Sequence, residues 1–370
     1  MRKLITAALL LAAAPLLAQV PLDPMANDSV ASYDWVRPQA DYVRRVEMVP
    51  MRDGTKLFTV IVYRKGAKDA PILLGRTPYD ANEATSRNRS QKIEEILPVM
   101  DAPFVNDGYI RVYQDVRGLH KSQGDYVMAR PLTGPLNKTG IDHATDAFDT
   151  SDWLVKNVPE GNGTVGIIGS SYLGYTALMA LIDPHPALKA AVPQSPMVDG
   201  WIGDDSFHNG AFRAYGFDYS LGQTVKEGGG NVPSGTGDEY NNYLDAVASR
   251  GWARDWGVDG LPSVCKMLEH PAYDSCWQEQ AVDKLLAKRK LTVPTRVMLG
   301  QWDQEDSYGG PAVFKADKAA QPDAPIMLGI GPWRHSGANY DGSSLGPLKF
   351  EGDTALQFRL GWISRSSIAG

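Results

Sequence analysis

The order of apolar segments along the chain predicts an α/β protein with a doubly wound, mostly parallel sheet. From about residue 70 to residue 192, short strand-like runs alternate with segments whose apolar residues recur at helical spacing, a pattern typical of βαβ units. The composition, with 37 glycines and 25 prolines, indicates many tight turns between short elements. A chain of 370 residues, 43% of them hydrophobic, is ample for a buried core and long enough for more than one domain.

The sheet is predicted to begin with a β-hairpin. Two β-branched runs, 46–49 and 57–63, flank an Asp53-Gly54 pair that favours a tight turn. Further strands are predicted at 71–75, 109–113, 164–168, 188–192, 295–299 and 325–330. Helices are predicted over 142–155, where acidic residues favour the first turn, and over 171–182.

The chain is predicted to divide into five segments. Residues 1–18 form a signal peptide, because two positive residues precede an apolar run that is shorter than a bilayer span. Residues 19–196 and 291–349 form the two parts of the core. Residues 197–290, rich in glycine, tryptophan and acidic residues, form an inserted helical cap, and residues 350–370 form a separate C-terminal segment.

The charge and the leader predict an exported protein that acts on small molecules. A net charge of -6 without a Lys/Arg run argues against nucleic acid or an anionic membrane as the main partner. Cleavage near Ala18 would leave a secreted, periplasmic protein that is not held in the membrane. Cys265 and Cys276 are the two cysteines, and the sequence leaves open whether they form a disulfide or two buried thiols.

A candidate nucleophile lies where the predicted strand at 164–168 meets the helix predicted over 171–182. Ser171 stands between Gly169 and Gly174, after a buried strand and before an Ala/Leu-rich helix. This is the layout of a nucleophile elbow, in which a tight turn holds a serine hydroxyl above the sheet, although the G-x-S-x-x-G spacing is one residue longer than usual. The alternative is that Ser171 only caps the helix.

The partners that a nucleophilic serine needs follow later strands. In the α/β-hydrolase fold the order along the chain is serine, carboxylate, histidine, with both partners after strands. Asp303 follows the strand at 295–299, and His335 follows the strand at 325–330. We therefore predict a catalytic triad of Ser171, Asp303 and His335.

Five phrases in unchanged order resemble the serine hydrolases grouped with cocaine esterase and X-Pro dipeptidyl-peptidase. They are RTPYD (76–80), DVRG (115–118), GSSYLG (169–174), WDQED (302–306) and GPWRHSG (331–337). The chain most resembles the α-amino acid ester hydrolases, in which G-x-S-Y-x-G is the normal elbow. The resemblance implies an oxyanion hole formed by the hydroxyl of Tyr79 and the backbone N–H of Tyr172.

The resemblance also implies a carboxylate cluster that binds the α-ammonium group of a substrate. The matching residues are Asp205, Glu305 and Asp306. Charge-assisted hydrogen bonds from an ammonium group to such carboxylates are worth about 1.5 to 3 kcal/mol each. The alternatives are a solvated acidic loop or a Ca²⁺ site.

The C-terminal segment departs from the family. Relatives continue into a large C-terminal jelly-roll domain, whereas residues 350–359 resemble only its first strand, so the domain is expected to be truncated. A core that exposes a surface its relatives bury is expected to be poorly soluble or of low stability.

The sequence thus predicts a serine hydrolase or acyltransferase with an α/β-hydrolase fold, an inserted cap and no cofactor. Its expected substrates are esters or amides of α-amino acids, including β-lactams with an α-amino acyl side chain. The rivals are an X-Pro dipeptidyl-peptidase, a general carboxylesterase, and an inactive remnant or binding protein. No metal site is predicted, because no H-E-x-x-H or similar spacing occurs. A homo-oligomer is a further possibility that relatives imply.

Overall fold

The computed structural model describes residues 38–134, 137–203, 206–213, 215–225, 238–246 and 248–363, together with Met25 and Ser29. Within the compact unit Gln39–Gly370, an eight-stranded sheet lies at the centre. The described strands are β1 (Tyr42–Pro50), β2 (Lys56–Arg64), β3 (Ala70–Thr77), β4 (Ile110–Asp115), β5 (Gly161–Ser171), β6 (Leu188–Pro196), β7 (Phe207–His208), β8 (Ala211–Phe212), β9 (Thr295–Trp302), β10 (Ile326–Arg334), β11 (Ser344–Leu345) and β12 (Leu348–Lys349).

The described helices are mostly short, and we find no apolar helix of membrane-spanning length among them. They are α1 (Ala81–Ala84), α2 (Ile93–Ile96), α3 (Ala102–Asn106), α4 (His143–Asn157), α5 (Tyr172–Met179), α6 (Tyr215–Thr224), α7 (Glu239–Asp245), α8 (Ser249–Asp255), α9 (Pro262–Glu269), α10 (Ser275–Gln278), α11 (Val282–Ala287), α12 (Gly309–Ala320) and α13 (Thr354–Phe358). Two 3₁₀ turns (Val99–Asp101 and Gly337–Asn339) and a π turn (Arg359–Ile363) complete the set.

The strand order of the main sheet is β1-β2-β4-β3-β5-β6-β9-β10. Strand β2 runs antiparallel to β1 and β4, and the other paired strands of this sheet are parallel. The predicted hairpin between β1 and β2 is present, and Gly54 supplies the positive φ of its turn, 83°. A mostly parallel sheet with this crossover order is the α/β-hydrolase fold, which confirms the predicted fold class.

The central strands are buried on both faces, as parallel strands covered by helices usually are. All six residues of β4 are buried, and the largest apolar cluster joins strands of the sheet to helices α4 and α5. Helix α4 begins at a capping box formed by Asp142 and Thr145, close to the predicted start. This rigid core brings the carboxyl ends of β3, β5, β9 and β10 to one edge of the sheet.

Most of the described residues between β6 and β9 form small elements around their own apolar cluster, whose buried members include Phe207, Phe217, Trp252 and Met267. Val282 and Leu286 of α11 instead pack into the largest cluster of the sheet. Cys265 and Cys276 in this region are free, half-buried thiols, so the structure contains no bridge between them. The predicted signal peptide, residues 1–18, lies outside the described residues.

The prediction of a strand over 350–359 is wrong, because residues 354–358 form helix α13. The carboxylate of Asp353 caps this helix by accepting from the Leu356 N–H. The indole Nε1 of Trp333 donates to Thr354 Oγ1 at 2.9 Å, and the ring of Phe358 packs against that of Trp333. The cap and this contact with β10 favour the helix over the extended form.

Candidate active site

Ser171 occupies a strained turn between β5 and α5. Its φ of 62° and ψ of -125° are unusual for a residue other than glycine. Its side chain makes no capping hydrogen bond to the helix, which argues against the alternative that Ser171 is only a helix cap. The residue instead lines a cleft at the edge of the sheet. The strand, the sharp turn and the helix are the geometry of a nucleophile elbow.

Two glycines make this turn possible. A Cβ atom on Gly169 would lie 2.2 Å from Cβ of Leu173, and one on Gly174 would lie 2.5 Å from the backbone oxygen of Gln194. Both distances are too short for a side chain. The second contact joins the first turn of α5 to β6, so glycine is required at position 174 and the longer spacing is accommodated.

His335 and Asp303 form a hydrogen-bonded pair after β10 and β9. Nδ1 of His335 lies 3.0 and 3.1 Å from the two carboxylate oxygens of Asp303. Because a carboxylate accepts, this nitrogen carries the proton and leaves Nε2 as the basic nitrogen.

The surroundings of Asp303 favour its ionised form. The backbone N–H groups of Glu305 and Asp306 both donate to Asp303 Oδ1 at 2.9 Å. Burial acts to raise the pKa of Asp303, but the hydrogen bonds from His335, Ser195 and the Glu305 backbone outweigh it, so its pKa is lowered. An ionised carboxylate can orient the imidazole and stabilise it when it becomes charged.

One cleft contains the predicted nucleophile, base and oxyanion donor. Ser171, His335, Tyr79 and Glu305 all line it, and its volume is about 700 Å³. A cleft of this size suits a small-molecule substrate. The structure thus brings together residues that are up to 256 positions apart in the chain, from Tyr79 to His335.

The two predicted oxyanion donors follow the neighbouring parallel strands β3 and β5. Tyr79 follows β3 and is 41% exposed, with its hydroxyl 3.2 Å from the hydroxyl of Tyr219 on α6. Tyr172 is the first residue of α5, so its N–H has no acceptor within the helix. The phenol ring of Tyr172 is fully buried and packs against His143 and Tyr175, which fixes the backbone beside Ser171.

The three predicted ammonium ligands lie in different environments. Glu305 lines the cleft, with Oε2 3.4 Å from Nε2 of His335. Asp306 is 1% exposed and approaches the other ring nitrogen, Nδ1, at 3.8 Å. Asp205 lies outside the described residues. Glu305 is therefore the predicted ligand that the structure places at the cleft surface.

Several residues to which the sequence assigned no role surround the predicted triad. Asp218 and Tyr219, on α6, line the cleft. Gln304 accepts from the His335 N–H at 3.2 Å and donates to Glu305 at 3.0 Å. Ser195, 2% exposed with a φ of 37°, hydrogen-bonds Asp303 from the end of β6. Their roles depend on contacts between distant segments, which no spacing rule reveals.

Potential metal ligands gather elsewhere. Among the residues that the structure describes, His270, Asp274 and Cys276 are the group whose potential ligand atoms lie within 4.8 Å of one another. None of these three lines the cleft that contains Ser171. Nδ1 of His270 already hydrogen-bonds Asp274 at 2.6 Å.

Comparison with solved structures shows that the fold extends over nearly the whole chain. An α-amino acid ester hydrolase is 53% identical and superposes with a TM-score of 0.86, over 91% of this chain and 56% of that one. An aminopeptidase from a marine sediment Thaumarchaeota archaeon is 46% identical with a TM-score of 0.87, over 92% of this chain and 56% of the other.

Sequence comparisons agree with this result. Cocaine esterase from Rhodococcus sp. (strain MB1 Bresler) is 30% identical over 313 residues, which are 78% of this chain and 48% of that protein. The chain thus spans about half the length of this relative. A putative serine esterase from Mycobacterium bovis is 31% identical over 196 residues, which are 52% of this chain and 25% of that protein. The family model described as X-Pro dipeptidyl-peptidase (S15 family) matches residues 53–337, which contain both the elbow and the His335–Asp303 pair. The chain therefore belongs to the X-Pro dipeptidyl-peptidase (S15) family.

Proposed function

We propose that this protein is a serine hydrolase or acyltransferase that acts on esters or amides of α-amino acids. The observation that carries the proposal is the position of Glu305. Its carboxylate lies in the same cleft as Ser171, 3.4 Å from Nε2 of His335. An acidic group so close to the reacting centre favours a substrate with a cation next to its scissile carbonyl, as in an α-amino acyl group.

The proposed reaction begins with attack of the Ser171 hydroxyl on the substrate carbonyl. Nε2 of His335 accepts the serine proton, and ionised Asp303 stabilises the resulting imidazolium. The tetrahedral oxyanion is stabilised by the Tyr79 hydroxyl and the Tyr172 N–H. Collapse transfers the proton to the leaving alcohol or amine and leaves an acyl group on Ser171. Water then hydrolyses this acyl-enzyme, or an amine intercepts it.

Glu305, with Asp205 and Asp306, is proposed to recognise the α-ammonium group. The Glu305 carboxylate lies 3.4 Å from Nε2 of His335, so an ammonium group paired with it would stand beside the proposed reacting centre. Such pairing would hold the adjacent scissile carbonyl close to Ser171 and would offset the charge of Glu305 beside the basic nitrogen. The neutral analogue lacks this effect, so selectivity should appear in the rate as well as in binding.

The names of relatives support this substrate class. The two solved structures that are 53% and 46% identical are described as an α-amino acid ester hydrolase and an aminopeptidase. Activity toward β-lactams with an α-amino acyl side chain is a narrower form of the same proposal, because such a compound offers the same ammonium group beside a carbonyl.

The test compares phenylglycine methyl ester with phenylacetic acid methyl ester, which differ in the α-amino group. We expect a kcat/KM ratio above about 100, or about 2.7 kcal/mol of transition-state preference. Glu305→Gln should lower this ratio at least about tenfold, while Glu351→Gln, at an exposed position outside the cleft, should not change it. A ratio near one with good turnover would identify a general carboxylesterase instead. Absence of both turnover and fluorophosphonate labelling would favour an inactive remnant or binding protein.

A second candidate is an X-Pro dipeptidyl-peptidase, favoured by the description of the matching family model. Such an enzyme also binds an N-terminal ammonium group, so Glu305 does not separate the two functions. Hydrolysis of Ala-Pro-p-nitroanilide faster than Ala-p-nitroanilide would favour the peptidase. The opposite order would favour a single α-amino acyl group as the substrate.

The location of the activity is also a proposal. The leader at residues 1–18 is proposed to direct export, followed by cleavage after Ala18. N-terminal sequencing of protein recovered from a periplasmic extract should begin at Gln19. Recovery of the intact N-terminus from the cytoplasmic fraction would contradict export.

A further inference from the structure

Two motifs of the sequence, RTPYD and DVRG, meet in the structure around Tyr79. They end the neighbouring parallel strands β3 and β4, where Thr77 pairs with Asp115. The loops that follow the two strands therefore leave the sheet side by side. Tyr79 lies in the first loop, and residues 115–120 of the second loop contact the backbone on both sides of it.

Three hydrogen bonds between the two loops bracket Tyr79. The Val116 N–H donates to the Thr77 oxygen at 2.9 Å, and Nε2 of His120 donates to the Pro78 oxygen at 2.7 Å. On the other side, the Ala81 N–H donates to Oδ1 of Asp115 at 2.6 Å.

The direction of the His120 bond follows from its partner. A carbonyl oxygen only accepts, so Nε2 carries the proton, and Nδ1 faces the Asp80 carboxylate at 3.9 Å. His120 is outside the residues that line the cleft, so it acts on the loop and not on the substrate.

The bracketed loop is strained. Asp80, next to Tyr79, has a φ of 65°, and His120 itself has a φ of 48°. Such conformations persist where the surrounding structure holds them. The far end of Tyr79 is held as well, since its hydroxyl lies 3.2 Å from that of Tyr219. The loop is thus fixed at the backbone by the second motif and at the phenol by α6.

We propose that His120 is a positioning residue, which holds the Pro78 carbonyl so that the Tyr79 hydroxyl points at the oxyanion. This inference rests on the proposed function, in which Tyr79 donates to the oxyanion. A small displacement of such a donor lowers the rate, and a shift of about 1 Å costs up to about 100-fold.

The test is a double-mutant cycle between His120→Ala and Tyr79→Phe, measured with phenylglycine methyl ester. We expect His120→Ala to lower kcat about tenfold, with KM changed less than about twofold. In the Tyr79→Phe background the same change should cost less than about twofold, because the donor that His120 positions is gone. Equal losses in both backgrounds, or no loss in the wild-type background, would overturn the proposal.

A conservative variant and an activity-free measurement separate positioning from general instability. The amide nitrogen of Gln can donate at nearly the reach of Nε2, so His120→Gln should keep most of the activity that His120→Ala loses. A loss equal to that of His120→Ala would contradict the role of this bond. Hydrogen exchange of the peptide 78–84 should speed up in His120→Ala while the central strands stay protected. Unchanged exchange of this peptide would also reject the inference, and this measurement needs no ester turnover. Absence of ester turnover, by contrast, would reject the proposed function.

Discussion

Two loops at the same edge of the sheet, the serine elbow at 169–174 and the acidic loop at 303–306, are held by different forces. The elbow is fixed by sterics, because Cβ atoms on Gly169 and Gly174 would lie 2.2 and 2.5 Å from neighbouring atoms. The acidic loop is fixed by polar contacts, because the N–H groups of Glu305 and Asp306 converge on Asp303.

This difference predicts that amino-acid substitutions in the two loops affect different properties of the protein. At Gly169 and Gly174 of the elbow, a larger side chain acts on folding whatever the substrate is, since backbone space is missing. In the acidic loop, a substitution changes charge and hydrogen bonding beside the His335 ring, the proposed base, so its effect should depend on the substrate. The predictions that follow test this division, beginning with the largest effect.

Ser171→Ala removes the proposed nucleophile from the elbow without adding volume. We expect kcat to fall by about 10⁴-fold or more, together with loss of fluorophosphonate labelling and an unchanged melting temperature. Ser170→Ala is the matched control, because the Ser170 hydroxyl contacts Ser336 at 2.7 Å and is not the proposed nucleophile. Retained labelling in the Ser171 variant would assign the nucleophile elsewhere.

Gly174→Ala tests the steric account of the elbow. The added methyl group meets the Gln194 oxygen at 2.5 Å and Cα of Pro196 at 3.0 Å, both backbone atoms that cannot easily move. We expect a loss of about 1 to 3 kcal/mol in the free energy of unfolding, measured in urea. Gly222→Ala, in helix α6 with open space around it, should be neutral or stabilising by up to about 1 kcal/mol. Equal stability of both variants would show that the turn is not sterically limited.

The same division explains which parts of the fold and site were predictable from the sequence. The elbow and the order Ser171, Asp303, His335 depend on local sterics and on strand ends, which a sequence shows directly. The burial of Asp306 and the contact of Ser195 with Asp303 depend on packing between β6, β9 and α12. The strand predicted over 350–359 was wrong for a related reason. Its apolar residues fit either structure, and the helix is selected by the Asp353 cap and the bond to Trp333.

Ser195→Ala tests the polar account of the acidic loop. The variant removes a hydrogen bond to Asp303, so the carboxylate should orient His335 less well and kcat should fall about tenfold. Ser195→Gly also removes the hydroxyl but relieves the φ of 37° and should be the more stable of the two. Equal kcat losses with unequal stabilities would attribute the effect to the hydrogen bond. Unchanged kcat in both variants would remove Ser195 from the site.

The smallest expected effect concerns Asp317, a buried carboxylate that contrasts with Asp303. Asp317 lies on α12, is fully buried, and receives no hydrogen bond to either oxygen from the described residues. Burial and the nearby charge of Asp283 raise the pKa of Asp317 to about 6. A carboxyl group whose pKa is higher in the folded protein binds more protons there than in the unfolded chain. Its cost to stability therefore appears as the pH rises from about 4 to about 6.

Asp317→Asn should consequently stabilise the protein at pH 8 by about 1 kcal/mol and have little effect at pH 4. Urea unfolding at the two pH values measures the difference, and Asp323→Asn, at an exposed position after the same helix, should change stability at neither. A variant that is destabilised at pH 8 would show that the Asp317 carboxylate has a partner there. In that case both buried aspartates would be held by donors, and the acidic loop would not differ from the helix that follows it.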